Sequence, residues 1–182
     1  MKQETKKRIE RINLGEVPEG YKKTKIGVIP KDWEVKKMQY LLSGILNGIF
    51  NDPKKVGRGT KLVNVVNLYS EPCIKTDNLE LLDVSEKEVK KYLVRAGDLL
   101  FTRSSLKLEG VAHCNICLDE KDNLVFDCHI IKATPIKNII NPIYLRFCCL
   151  MPSWRKQVMA FAKVTTMATV GQNDIGSIKV PV

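Results

Sequence analysis

Five side chains of soft-metal ligand type fall in two clusters, His113-Cys114-Asn115-Ile116-Cys117 and Cys128-His129. The two-residue gap between Cys114 and Cys117 is that of a zinc knuckle, and Cys128 with His129 would complete four ligands. There is one such gap rather than two, and both clusters lie in apolar segments where cysteine serves as a small filler, so the favoured reading is no metal. Glu88-Val89-Lys90 has the Glu-x-Lys spacing of nucleases, but it stands in the charged run Glu86–Lys91, which reads as a solvated face. Gly57-Arg58-Gly59-Thr60-Lys61 has glycines without the order of a phosphate-binding loop. With two histidines in the chain and neither in a nucleophile elbow, no catalytic residue is assigned and no cofactor is implied.

Groups able to read a duplex are better represented. Phe101-Thr102-Arg103-Ser104-Ser105-Leu106-Lys107 ends a strand with two cations and three hydroxyls, a set able to hold phosphates and to offer Arg103 bidentately to guanine. Arg103 has a structural alternative, pairing with Asp98 or Glu109. Thr165–Asn173 supplies Thr166, Thr169, Gln172 and Asn173, and such amides can pair with an adenine edge. Arg58, with Lys61, Asn64 and Asn67 after it, makes a third candidate segment. The candidate DNA-binding residues are therefore Arg58, Lys61, Asn64, Asn67, Arg103, Ser104, Ser105, Lys107, Thr166, Thr169, Gln172 and Asn173. Asn141-Pro142-Ile143-Tyr144 looks like a variant of the Asn-Pro-Pro-Tyr motif with which amino-methyltransferases hold an extruded adenine. Ile143 replaces the second proline and no segment for S-adenosylmethionine lies upstream, so it reads as a helix start.

The charge agrees with a polyanionic partner. Thirty Lys and Arg against twenty Asp and Glu give +10 over 182 residues, and residues 1–37 hold eleven of the cations against six anions. This surplus attracts nucleic acid or an anionic membrane surface without choosing between them. No apolar run reaches the length of a membrane span, and no apolar stretch follows the basic start, so a cytoplasmic chain with reduced cysteines is expected.

The elements that must position these residues are read from periodicity. Ile9 and Ile12 among Lys6, Lys7, Arg8, Glu10 and Arg11 predict a short amphipathic helix, and 14–32 reads as an extended arm. Lys37–Ser43 reads as helix. Lys61–Leu68, Val89–Arg95, Leu99–Arg103, Gly110–Cys117 and Leu124–Ala133 read as strands. Asn141-Pro142 opens a buried helix that Pro152 ends, a second helix covers Ser153–Lys163, Thr165–Asn173 is a polar loop, and Ile178–Val182 is a last strand. The expected class is α+β: a mixed or antiparallel sheet with short flanking helices, preceded by a short N-terminal helix.

In linear order these pieces resemble the target-recognition domain of the type I restriction-modification specificity subunit. Gly27-Val28-Ile29-Pro30-Lys31-Asp32-Trp33 through Met38 looks like that family's opening G-x-I-P-x-x-W, and Gly97-Asp98-Leu99-Leu100-Phe101-Thr102-Arg103 like its G-D-I-L-x-x-R strand. Asn141-Pro142-Ile143-Tyr144-Leu145 is similar to its helix start, and Thr169 through Pro181 to its closing L-x-x-I-x-V-P. The resemblance divides the chain into a basic N-terminal helix and arm over 1–26 and a DNA target-recognition domain over 27–182.

What the resemblance implies is a noncatalytic subunit that recognises one half of a bipartite double-stranded DNA target. It would direct adenine methyltransferase subunits and, through the complex, an ATP-dependent translocating restriction subunit, with no membrane role. Family members hold two such domains separated by long helices. This chain holds one, so the expectation is a truncated form, or a half-length subunit that forms a homodimer. Two other classes stand beside this reading: an interaction module or antagonist that binds methyltransferase subunits without reading DNA, and a stand-alone DNA-modifying enzyme.

Overall fold

The computed structural model describes residues 3–120 and 123–182. In chain order the elements are α1 (Gln3–Asn13), β1 (Tyr21–Thr24), β2 (Gly27–Pro30), β3 (Val35–Lys37), β4 (Leu42–Asn47), β5 (Val56–Val63), β6 (Glu80–Leu82), α2 (Glu86–Tyr92), β7 (Leu99–Thr102), β8 (Ser104–Ser105), β9 (Cys114–Ile116), β10 (Leu124–Phe126), β11 (Ile130–Pro135), α3 (Pro142–Leu150), α4 (Pro152–Phe161), β12 (Lys163–Val164), β13 (Ala168–Thr169), α5 (Gln172–Ser177) and β14 (Lys179–Pro181). The α+β class is as expected.

The central sheet runs β4-β11-β7-β9, all antiparallel, and its strands β7, β9 and β11 are buried on both faces. That is why Leu99-Leu100-Phe101-Thr102 reads as a continuous buried run rather than an alternating one. Leu99 and Phe101 point to one core, where Trp154 stacks on Phe101 at 5.7 Å and α3, α4 and α5 close the layer. Leu100, with Ile130 and Phe126, points to a second core beneath the sheet β10-β5-β6. Each such fully buried side chain contributes about 1.5–3 kcal/mol of transfer free energy. β14 pairs with β3, so the segments that open and close 27–182 lie side by side.

Several expected elements differ. Residues 14–32 are not an extended arm: β1 and β2 form a hairpin, and Arg8 of α1 reaches Tyr21 with Nη1 3.3 Å from the hydroxyl. Lys37–Ser43 is a 3-10 turn, Met38–Leu41, leading into a strand. Lys61–Leu68 ends as a strand at Val63 and continues as the 3-10 turn Val65–Tyr69. Gly110–Cys117 is a strand only over Cys114–Ile116, and Leu124–Ala133 is two strands in different sheets, parted at Asp127–His129. The polar loop Thr165–Asn173 contains β13 and begins α5.

Val89–Arg95 is the clearest correction: Val89–Tyr92 is the end of helix α2 and 93–95 is a connection, with no strand. Ser85 and Glu88 form a capping box in which Ser85 Oγ accepts from Glu88 N at 3.3 Å and Ser85 N donates to Glu88 Oε2 at 2.9 Å. The bonds that Ser85 N and Ser85 Oγ donate to the carboxylate lower the Glu88 pKa, which accounts for Glu88-x-Lys90 without nuclease chemistry. Ser85→Ala is expected to cost about 1 kcal/mol in urea unfolding, the value of one cap. No helix among the described residues is long and apolar enough to cross a membrane.

Candidate nucleic-acid interface

Strand polarity gathers the candidate loops at one end of the sheets. β5 and β10 run parallel, with Val63 opposite Phe126, so both finish together. β7 finishes at Thr102 opposite Ile130, the first residue of β11, and the last residue of β4, Asn47, faces Ile131. The segments leaving these strands, 48–51, 64–69, 103–107 and 127–129, therefore emerge side by side. Gly48 makes the closeness possible, because a Cβ there would stand 2.2 Å from the carbonyl oxygens of Phe126 and Asp127. A fifth segment, 163–173, joins through β8 and β13, where Ser104 faces Thr169 and Ser105 faces Ala168, and Val170 N donates to Arg103 O at 3.0 Å.

Ten of the twelve candidate residues belong to this end. Asn64 N donates to Asn67 Oδ1 at 2.7 Å and Asn64 Nδ2 to Glu80 at 2.8 Å, so both asparagines shape the turn. The Ser104 and Thr169 hydroxyls bond to each other at 3.1 Å, and Ser105 Oγ accepts from Lys107 N at 3.2 Å. Gln172, with its amide oriented to satisfy both partners, donates to Ile45 O and accepts from Asn47 N, each at 3.2 Å. Lys107, Thr166 and Asn173 are exposed. Arg103 is half-buried with Nη1 3.4 Å from Cys128 O, and no carboxylate of the described residues pairs with it. Its structural alternative is not formed: Asp98 pairs with Lys132 at 3.2 Å, and among the described residues Arg103 makes no ion pair with Asp98 or Glu109.

Arg58 and Lys61 lie elsewhere. Arg58, six residues before Asn64 and roughly 20 Å up the strand at about 3.3 Å per residue, bonds Asp83 at 2.9 Å. Lys61 Nζ donates to Thr76 O at 2.8 Å. The glycines around them make a β-bulge against β6: Gly59 has φ +93, and a Cβ on it would meet Leu82 O at 2.7 Å.

The loop after Arg103 is held from behind. Thr102 Oγ1 donates to Gly110 O at 2.7 Å and accepts from His113 N at 2.9 Å. The Arg155 guanidinium of α4 donates to the carbonyls of Glu109, Val111 and Ala112 at 2.7–2.9 Å. His113 Nε2 is placed to donate to Leu68 O at 3.1 Å while its ring stacks on Tyr69 at 4.3 Å. Burial holds the His113 pKa below the ordinary imidazole value, against the pull of the Leu68 carbonyl. The loop tip therefore projects from a fixed base, as a recognition loop requires.

Sequence reasoning did not single out Phe50, 72% exposed, Val66, 73% exposed, or Lys163 at this end. The flanking Gly48 and Asn51 were the available signal for Phe50. The two cysteine-histidine clusters do not converge as one four-ligand set: Cys114 packs in the first core and Cys117 in the second, where burial pushes its thiol up to about 11. Asn141 Oδ1 accepts from Ile143 N at 2.9 Å and Tyr144 N at 3.2 Å, so Asn-Pro-Ile-Tyr is a capped helix start.

No family model matches the chain. It is 25% identical over 165 residues to the putative type I restriction enzyme MjaX specificity subunit of Methanocaldococcus jannaschii, covering 90% of this chain and 38% of that protein. It is 27% identical over 140 residues to the type I restriction enzyme EcoKI specificity subunit of Escherichia coli, covering 75% and 30%. The chain thus spans about a third of the length of these curated relatives. Among solved structures it is similar to the HsdS subunit from Thermoanaerobacter tengcongensis (TM-score 0.55, 14% identity, 85% of this chain and 34% of that one). It is also similar to the type I restriction-modification S subunit from M. genitalium (TM-score 0.53, 11% identity, 83% and 34%). A chain from a study of type I restriction-modification complex assembly matches over 99% of this chain and 40% of its own length (TM-score 0.58, 14% identity). These likenesses establish the fold.

Proposed function

We propose that this chain, a relative of type I restriction specificity subunits, reads one half of a bipartite duplex target and performs no covalent chemistry itself. The observation that carries the reading is the convergence of five loop segments, bearing Arg103, Lys107, Lys163, Thr166 and Asn173, at one end of a rigid pair of sheets. Cations there neutralise phosphates and set the register, and the Arg103 fork and nearby amides address base edges. Its partners on this reading are double-stranded DNA, adenine methyltransferase subunits and, through them, an ATP-dependent restriction subunit, all in the cytoplasm. A homodimer would supply the second half-site for a half-length subunit.

The test is selection from randomised duplexes by the chain with its methyltransferase subunits, followed by titration of selected and scrambled sequences. Selected duplexes should bind at least about a thousandfold more tightly, the low end of specific recognition. Equal affinity for both would leave the interaction-module reading. Lys107→Ala is expected to weaken all duplexes alike and to reduce the slope of log affinity against log salt by about 1, as loss of one phosphate contact does. Titration at several salt concentrations measures both quantities.

A further inference from the structure

The turn between β10 and β11 carries a ligand set that DNA reading leaves unused. One ligand atom each from Asp127, Cys128 and His129 lies within 4.8 Å of the others. His129 Nδ1 is 2.8 Å from Asp127 Oδ1 and 3.6 Å from Cys128 Sγ. A tetrahedral ion with bonds of about 2.0–2.3 Å holds its ligand atoms roughly 3.3–3.8 Å apart, so the three donors already have nearly the spread of a coordination sphere.

A second observation falls at the same place. Ile49 bridges to Asp127 and its N–H donates to Phe126 O at 2.9 Å, which lays the 48–51 segment along the turn and brings Asn51 beside Cys128. Asn51 Oδ1 is, among the described residues, the buried side-chain polar atom without a hydrogen-bond partner. Buried acceptors are satisfied in the great majority of cases, and an unsatisfied one calls for a water or an ion.

We propose that Asp127, Cys128 and His129 bind one borderline-soft divalent cation of the zinc class, with the Asn51 carbonyl oxygen as fourth donor. The mixed sulfur, nitrogen and oxygen set favours zinc, cobalt or nickel over magnesium or calcium, which prefer all-oxygen shells. Cys128 binds as thiolate and gives its proton to solvent; His129, whose Nδ1–H donates to Asp127 in the free turn, takes the tautomer with its proton on Nε2, so that the Nδ1 lone pair binds the ion. A thiolate and a carboxylate balance the two positive charges, so the neighbouring Arg103 guanidinium meets no net cation. The ion ties the 48–51 loop to the 127–129 turn, whose His129 carbonyl accepts from Arg103 N at 2.7 Å. The site differs from the sequence-level cluster in replacing Cys114 and Cys117 with Asp127 and Asn51, and it does not depend on the chain reading DNA.

Cobalt titration of the reduced, chelator-stripped full chain tests the site. One equivalent should produce visible d–d bands and a near-ultraviolet thiolate-to-cobalt band, both removed by zinc. Cys128→Ser should abolish the near-ultraviolet band. His129→Gln and Asn51→Ala should weaken cobalt binding by about tenfold or more, while Cys73→Ser, at the other half-buried cysteine, should leave it unchanged. If Cys128→Ser fails to fold, His129→Gln carries the test, because that side chain is 63% exposed. Absence of both bands at millimolar cobalt, or a thiolate band that survives Cys128→Ser, overturns the proposal.

Discussion

Asp98→Ala is expected to lower the melting temperature by about 10 °C or more, corresponding to roughly 3–5 kcal/mol for a chain of this size. Asp98 is 2% exposed and accepts from Arg95 N at 2.9 Å, Thr134 Oγ1 at 2.7 Å and Lys132 Nζ at 3.2 Å. Lys132 lies in the middle of β11 with 10% of its side chain exposed, and its other hydrogen-bond partner is the Leu93 carbonyl. Truncating Asp98 leaves that ammonium buried without a counter-charge, which costs far more than the net value of the pair. Asp98→Ala combined with Lys132→Met should therefore recover much of the loss, because removing both charges is nearly neutral where removing one is not. Thermal melts of the two variants decide the matter. A shift under about 2 °C for Asp98→Ala would show that water reaches Lys132 and screens it.

Asp98 also shows what was legible in the sequence. The Gly97-Asp98 turn and the apolar run after it mark a strand start by local chemistry alone, and the strand begins at Leu99. The Asn141-Pro142 helix was legible for the same reason, since the cap is made within three residues. Ser85 and Glu88 carried an equally local signal, and reading Val89 by its β-propensity overrode it; a capping box with two hydrogen bonds outweighs one branched side chain. The interface was legible only in part. Two-residue strands such as β8 and β13 have no periodicity, and their pairing exists because the folded chain brings Ser104 to Thr169 across 65 positions. Arg58 and Lys61 looked like readers because glycines and cations adjoin. The glycines instead serve a bulge, and both cations are tied locally, to Asp83 and Thr76. Which end of a strand a loop leaves from depends on sheet polarity, which composition does not encode.

Arg103→Ala is expected to cost about 1–3 kcal/mol in binding of the selected duplex, roughly fivefold to 150-fold in Kd, with far less effect on scrambled duplexes. The guanidinium has five donors, and its hydrogen bond to Cys128 O, at 3.4 Å, is long enough to be given up when a guanine offers O6 and N7. Its main chain, by contrast, is fixed on both sides, through Arg103 N to His129 O at 2.7 Å and Val170 N to Arg103 O at 3.0 Å. A base-reading side chain on an anchored backbone loses affinity without losing the fold, so the melting temperature of Arg103→Ala should stay within about 2 °C of the parent, less than 1 kcal/mol for this chain length. The contrast with Lys107→Ala separates the roles: a phosphate contact lowers all duplexes together and flattens the salt dependence, whereas a base contact lowers the ratio of selected to scrambled affinity. Should Arg103→Ala lower both affinities equally, Arg103 is a phosphate ligand, and base discrimination passes to Thr166 and Asn173 on the neighbouring segment. Should it melt early instead, the Cys128 contact is structural, and Arg103→Lys would not restore it, since a lysine cannot present the same planar fork.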